Sequence, residues 1–258
     1  MKIQLWRHAT LLVHYANRTL LVDPMLSAAE AMDPVGNASN TRRIPMVELP
    51  FDTPTLLASL AKIDAVLVTH THRDHWDARA IELLPRTMPL IGQPADKARF
   101  EKDGFTNLNL IEDSLNWQGI TITRTGGQHG TGEIGRQMGT VSGFVLRAPG
   151  APGLYIAGDT IWCAEVESAL TEYHPDVTIV NAGAATFLTG DPITMSAEDV
   201  VHVCEALPST RVIAVHMETV NHCLLTRAAL RQHLESAQLT ERVIIPADGE
   251  TYPARPII

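Results

Sequence analysis

Basic residues are scarce in this chain: 20 Lys and Arg stand against 29 Asp and Glu over 258 residues, a formal net charge of −9. Affinity for a nucleic-acid backbone rests on clusters of Lys and Arg, so no nucleic-acid partner is expected. Long apolar runs are missing as well. None approaches the roughly 20 residues needed to cross a bilayer, so no membrane span is expected. The segment 1–10 lacks the basic-then-apolar layout of an export signal. Cysteine is sparse: Cys163, Cys204 and Cys223 are odd in number and form no CxxC pair. That excludes a disulfide framework and suits a reducing compartment, the cytoplasm. No repeat, low-complexity tract or linker interrupts the chain, whose length suits a single domain over residues 1–258 with a real hydrophobic core.

What is present reads as two strand-rich halves. Residues 3–6, 11–15 and 19–22 are short apolar runs, with Ala16-Asn17-Arg18 as a turn between the last two. Residues 27–54 are rich in Ala, Asn, Pro and Ser without a period and read as a long loop or lid, a length that is uncommon unless functional. Thr53-Pro54 reads as a helix start with Thr as cap. Residues 65–68 form a continuous apolar run, as in a strand buried on both faces. Asp77 then caps a short helix through Leu84, a strand follows at 88–91, and a helix at 94–102 stops at Gly104. The second half predicts strands at 120–124, 140–147, 154–157, 177–180, 212–215 and 243–245. Helices are expected at 164–173, 197–206 and 227–236, the second opened by a Ser196/Asp199 capping box. This alternation suggests two sheets faced by helices.

The strongest chemical signal is Thr69-His70-Thr71-His72-Arg73-Asp74-His75-Trp76-Asp77, directly after the 65–68 run. It sets three His and one Asp within six residues. A loop leaving a rigid strand end can aim successive side chains at one point, and imidazole with carboxylate is the ligand set of zinc and similar divalent metals.

His70-x-His72-x-Asp74-His75 resembles the HxHxDH signature of the metallo-β-lactamase superfamily. The resemblance implies an α+β fold, a four-layer αββα sandwich. The later motifs of that family find counterparts in order: His129 in Gly126-Gly127-Gln128-His129-Gly130, Asp159 after Tyr155-Ile156-Ala157-Gly158, and His216 after Val212-Ile213-Ala214-Val215. Carried over residue by residue, the family pattern implies two divalent metal ions, zinc first and manganese as the alternative. His70, His72 and His129 would hold one and Asp74, His75 and His216 the other, with Asp159 bridging. It further implies a metal-bridging hydroxide as nucleophile, because a bound cation lowers the pKa of water towards ~7. Asp74 is the candidate for moving a proton.

The opening segment, His8-Ala9-Thr10 followed by Leu20-Leu21-Val22-Asp23-Pro24, is similar to the branch holding ascorbate-phosphate lactonases and N-acyl-phosphatidylethanolamine phospholipases, with Arg7 where that branch usually shows Gly. His8, Asp23, Trp162 and His222 are candidates for substrate contact or for orienting the ligands, Asp23 through a ligand histidine. The backbone of Asn181-Ala182-Gly183-Ala184 is a candidate donor to substrate, and Arg42 with Arg43 a candidate anion contact. The expected activity is hydrolysis of a small ester, lactone or phosphoester. A drug-hydrolysing β-lactamase is not expected, since that class usually has Cys where Asp159 stands. The competing readings are a mononuclear iron oxygenase of the persulfide dioxygenase type and a non-catalytic metal-binding domain. A small-molecule substrate is the expected partner, and a homo-oligomer is the base-rate expectation for quaternary structure.

Overall fold

A computed structural model describes residues 1–253; the last five residues of the domain expected over 1–258 lie outside the described residues. Three antiparallel strands open the chain: β1 (Lys2–Arg7), β2 (Thr10–Tyr15) and β3 (Arg18–Val22). The turn between β2 and β3 places Ala16 and Asn17 at φ 46° and 63°, the paired left-handed residues of a tight two-residue hairpin. Parallel strands β4 (Ala65–Val68), β5 (Leu90–Gly92) and β6 (Leu108–Leu110) extend this sheet on one side. The second sheet holds β7 (Ser114–Trp117), β8 (Ile120–Thr125), β9 (Gly143–Arg147), β10 (Leu154–Ile156), β11 (Val177–Asn181), β12 (Arg211–Val215) and β13 (Val243–Ile244) in order along the sheet. Finally β14 (Thr251–Pro253) returns to pair with β1, so each sheet has seven strands among the described residues.

The four layers follow from how strand residues divide between faces. Along β4, Ala65 and Leu67 enter the core between the sheets, where they meet Ile120, Phe144 and Ile179. Their alternates Val66 and Val68 point the other way, into a cluster with Leu56, Leu60, Ala80 and Phe100. Those residues belong to α1 (Thr53–Leu60), α2 (Ala78–Leu83) and α3 (Lys97–Lys102), which cover the first sheet. A strand buried on both faces carries no polar alternates, which explains the unbroken apolar run. After α4 (Gly132–Met138), helices α5 (Ala164–Tyr173), α6 (Ala197–Ala206) and α7 (Arg227–Ser236) cover the second sheet. No helix among the described residues is long and apolar enough to cross a membrane.

Several boundaries differ from expectation for identifiable reasons. Asp52, not Thr53, caps α1 through its bond from the Thr55 amide at 3.0 Å. The helix expected at 94–102 begins as a 3₁₀ turn over Pro94–Asp96. The Asp96 carboxylate makes no capping bond there and accepts instead from Thr71 and Gln93. The strand expected from 140 begins at Gly143, because Thr140 and Ser142 are tied to the Gln93 side chain. The capping box of Ser196 and Asp199 forms as expected. Residues 27–52 hold no helix or strand, only an isolated bridge between Met32 and Ile44.

Candidate metal centre

Successive strands deliver their carboxyl ends to one rim. His8 follows β1, Asp23 follows β3, His70 follows β4, Asp159 follows β10 and His216 follows β12. The ring nitrogens and carboxylate oxygens meet there at short range. His70 Nε2 lies 3.0 Å from His72 Nδ1, and His75 Nε2 lies 3.2 Å from His216 Nε2. Asp159 sits between: its Oδ2 is 3.2 Å from His75 and 3.6 Å from His129, and its Oδ1 is 3.2 Å from His216. Asp74 Oδ2 is 3.8 Å from both His75 and His216. Ligands about 2.0–2.1 Å from a tetrahedral ion stand about 3.3 Å apart, so these spacings fit a metal. His70, His72 and His129 form one group with ligand-like spacing. His70, His75 and Asp159 form another, and His8, Asp74, His75 and His216 a third.

The outer nitrogen of each imidazole decides whether its inner nitrogen has a free lone pair. His129 Nδ1 faces the Ile193 carbonyl at 2.8 Å, which only accepts, so Nδ1 carries the proton and Nε2 is bare. His75 Nδ1 faces Asp23 Oδ2 at 2.9 Å, so a neutral ring carries its proton there and turns a bare Nε2 inward. The Thr69 hydroxyl donates its single proton to Asp23 at 2.7 Å and can therefore only accept from His70 Nδ1, 3.1 Å away. His216 Nδ1 meets the Cys223 thiol at 3.6 Å, a weak partner. Lone pairs thus converge where a cation would sit, with their tautomers set from outside. The Asp159 carboxylate is fixed the same way, accepting from the Asn181 side chain at 2.6 Å.

Electrostatics point to the same spot. Burial disfavours charge on Asp159 and Asp74, but the neighbouring histidines outweigh it and hold both carboxyls well below the usual range. Burial pushes His70 well down and also lowers His129. His75 alone goes the other way: burial pulls it down, yet Asp159, Asp23 and Asp74 together push it well above its ordinary value. The centre therefore demands positive charge between its carboxylates, which a divalent cation supplies.

Above the cluster opens a cavity of about 240 Å³. His72, Asp74, His129 and Asp159 form its floor, and Val35, Met138, Phe187 and Ile193 give it apolar walls. Buried His222 also faces it, its ring lowered by burial to about 4 and tilted on Phe187 at 5.6 Å. His8 is fully buried; its Nε2 bonds Asp74 at 3.1 Å and its ring lies 3.6 Å from that of His216. The neighbouring Arg7 is also fully buried and donates to the carbonyls of Met25, Ser27 and Val47, pinning both ends of the long loop.

Trp162 takes no part in the cavity lining. It packs with the outer apolar cluster beside His202, because the chain turns into α5 just after Asp159. Arg42 and Arg43 also lie off the cavity, with Arg43 paired to Asp33 on the surface. In the 181–184 stretch it is the Asn181 side chain, not a free backbone donor, that reaches the centre. The walls went unread in the sequence. Met138, on α4, is hidden in a segment interrupted by glycines.

A family profile described as Beta-lactamase superfamily domain matches residues 18–217. The protein YddR of Bacillus subtilis, of the UPF0173 group, is 34% identical over 98% of this chain and 99% of its own length. Two solved structures are similar over nearly their full lengths. One is an isothiocyanate hydrolase from Delia radicum gut bacteria, with a TM-score of 0.92 and 37% identity, covering 100% of both chains. The other is a possible metal-dependent hydrolase from Veillonella parvula, with a TM-score of 0.93 and 35% identity, covering 98% of both.

Proposed function

The chain belongs to the β-lactamase superfamily, and from that premise we propose that it is a binuclear metal-dependent hydrolase of small, uncharged electrophiles, with the isothiocyanate group as the substrate class. The observation that carries this reading is the cavity: an acidic, imidazole-lined floor under apolar walls, within about 240 Å³. Among the described residues Arg73 is the only Lys or Arg in its lining, and it is exposed. A phosphoester would find little cationic help beyond the metals, whereas a neutral head with an apolar substituent fits both surfaces. The similarity to an isothiocyanate hydrolase at 37% identity supports the choice, and a small lactone or ester is the second reading that the same cavity favours.

In this reading His70, His72 and His129 hold one cation, and Asp74, His75 and His216 the other, with Asp159 shared. Divalent cations held by these residues would lower the pKa of water and so supply hydroxide at neutral pH. The protein's own groups orient and exclude. Asp159 is fixed by Asn181 and so keeps both halves in register. The apolar walls hold the substituent of the substrate and keep bulk water off the central carbon. The overall reaction balances as R–N=C=S plus H₂O giving R–NH₂ and COS: a C–O bond forms at the central carbon and the C–N bond breaks. In this reading Asp74, on the cavity floor, takes the two protons of the attacking water in turn and passes both to the departing nitrogen.

The test pairs elemental analysis of protein purified without chelator with a panel of alkyl and aryl isothiocyanates, lactones and a bis-aryl phosphodiester. Two equivalents of zinc or manganese are expected, with amine release from isothiocyanates that stops on chelation and returns on adding metal. Turnover confined to the phosphodiester would sink the substrate assignment. One equivalent of iron with oxygen uptake would replace hydrolysis by oxygenation.

A further inference from the structure

We propose that His222 is a further catalytic residue, whose Nε2–H donates a hydrogen bond to the substrate heteroatom on which negative charge develops. The inference rests on the reading that substrate is hydrolysed in the cavity over the metal ligands. Its two ring nitrogens are in opposite situations. Nδ1 is walled off from solvent and has no hydrogen-bond partner among the described residues. Nε2 bonds to no described residue and is not walled off, and the cavity that His222 lines is the one over Asp74 and Asp159. A neutral imidazole has one proton to place. An N–H sealed in without an acceptor costs more than a sealed-in lone pair, so the proton belongs on Nε2, facing substrate.

That donor is fixed before substrate arrives. The His222 carbonyl accepts from the Thr186 amide at 2.9 Å, and the ring rests on Phe187. The preceding residue, Asn221, exchanges bonds with Val35 and Asn40, at 2.8 Å from the Val35 amide and 2.9 Å to the Asn40 carbonyl. A hydrogen bond held in place by such contacts is worth most where charge appears only in the transition state, because nothing must reorganise. As hydroxide adds to R–N=C=S, an electron pair moves from the carbon–heteroatom bond onto nitrogen or sulfur. The metal ligands lie on the floor of the cavity, and His222 is the remaining imidazole in its lining.

Two measurements test this. Long-range ¹H–¹⁵N correlation on ¹⁵N-histidine-labelled metal-loaded protein, with His222 assigned from His222→Gln, should show Nε2 protonated and Nδ1 bare. The reverse tautomer would overturn the proposal whatever the substrate. In turnover of isothiocyanates, His222→Ala should lower kcat about 10²-fold with metal content at the wild-type level and KM little changed. His222→Gln, which keeps an N–H, should recover part of the loss. Unchanged kcat in His222→Ala would overturn the proposal. Failure of the wild type to cleave any isothiocyanate would instead remove the substrate class and leave the tautomer to decide whether His222 is a donor.

Discussion

Replacing Asp23 by Asn should loosen metal binding although Asp23 touches no metal position. Its Oδ1 accepts from the Thr69 amide at 2.8 Å, and its Oδ2 accepts from both the Thr69 hydroxyl and His75 Nδ1. An Asn can keep the first bond with its carbonyl oxygen. Its NH₂ group then faces two donors. The Thr69 hydroxyl can turn and accept, recovering about 1 kcal/mol. His75 Nδ1–H cannot. Its ring must bring a bare Nδ1 to the amide, which moves the proton to Nε2, the atom that points at Asp159 and His216. Two charge-assisted bonds at about 1.5–3 kcal/mol each, less the recovered one, leave a net cost of about 2–5 kcal/mol. Loss of such an outer partner should reduce metal affinity about 10–100-fold, and thermal stability should fall by about 5–15 °C in a chain of this size. Chelator-competition titration reads the affinity, and melting of the metal-free protein separates the folding cost from the metal cost. If Asp23→Asn binds two metals as tightly as the wild type, the tautomer argument is wrong.

Asp159→Ala removes the one carboxylate that approaches His75, His129 and His216 together; at most one metal should remain by elemental analysis, and activity should vanish. Gly183→Ala would place a Cβ 2.4 Å from the His216 carbonyl oxygen and 3.0 Å from His216 Nδ1. It should displace that ligand and lower affinity for one of the two metals, seen as biphasic chelation, whereas retention of both metals at wild-type affinity would show that the loop can shift. Asn221→Ala removes the side-chain bonds to the Val35 amide, the Val35 carbonyl and the Asn40 carbonyl, which hold this loop and its cavity residue Val35 in place. KM for isothiocyanates with apolar substituents should rise several-fold while metal content stays constant; an unchanged KM would mean that the long loop does not bind substrate.

The cluster of His and Asp side chains was legible because each member follows a strand end, and strands announce themselves through apolar runs. His70 to His75 needed only the short loop after β4, and His129, Asp159 and His216 needed only family order. The walls were not legible for the same reason in reverse. Val35 lies in a stretch without periodicity, whose course is set by Arg7 and Asn221 across large sequence separations. Phe187 lies on a loop held by bonds to His222 and Asn37. Met138 sits on a helix flanked by glycines, where local propensity argues against helix at all. Trp162 is near Asp159 in sequence, but six residues after the end of β10 are enough to turn a side chain to the other face.

The backbone explains how separate strand ends can share one point. His8, Asp23 and His216 adopt left-handed conformations, with φ of 58°, 43° and 73°. Each such conformation costs a non-glycine residue roughly 1 kcal/mol or more and persists only where its surroundings over-determine it. The surroundings are present. Thr10 Oγ1 donates to the Asp23 carbonyl at 2.8 Å while accepting from the Met25 amide at 2.9 Å. The His216 amide donates to the His8 carbonyl at 3.0 Å, joining the ends of β1 and β12 across the two sheets. A left-handed residue at a strand end breaks the up-and-down alternation, so a side chain that would have entered a core layer turns to the rim instead. None of these bonds uses a metal. The strain that aims the histidines is therefore met by the packing of the two sheets, which shapes the candidate centre without the help of a cation.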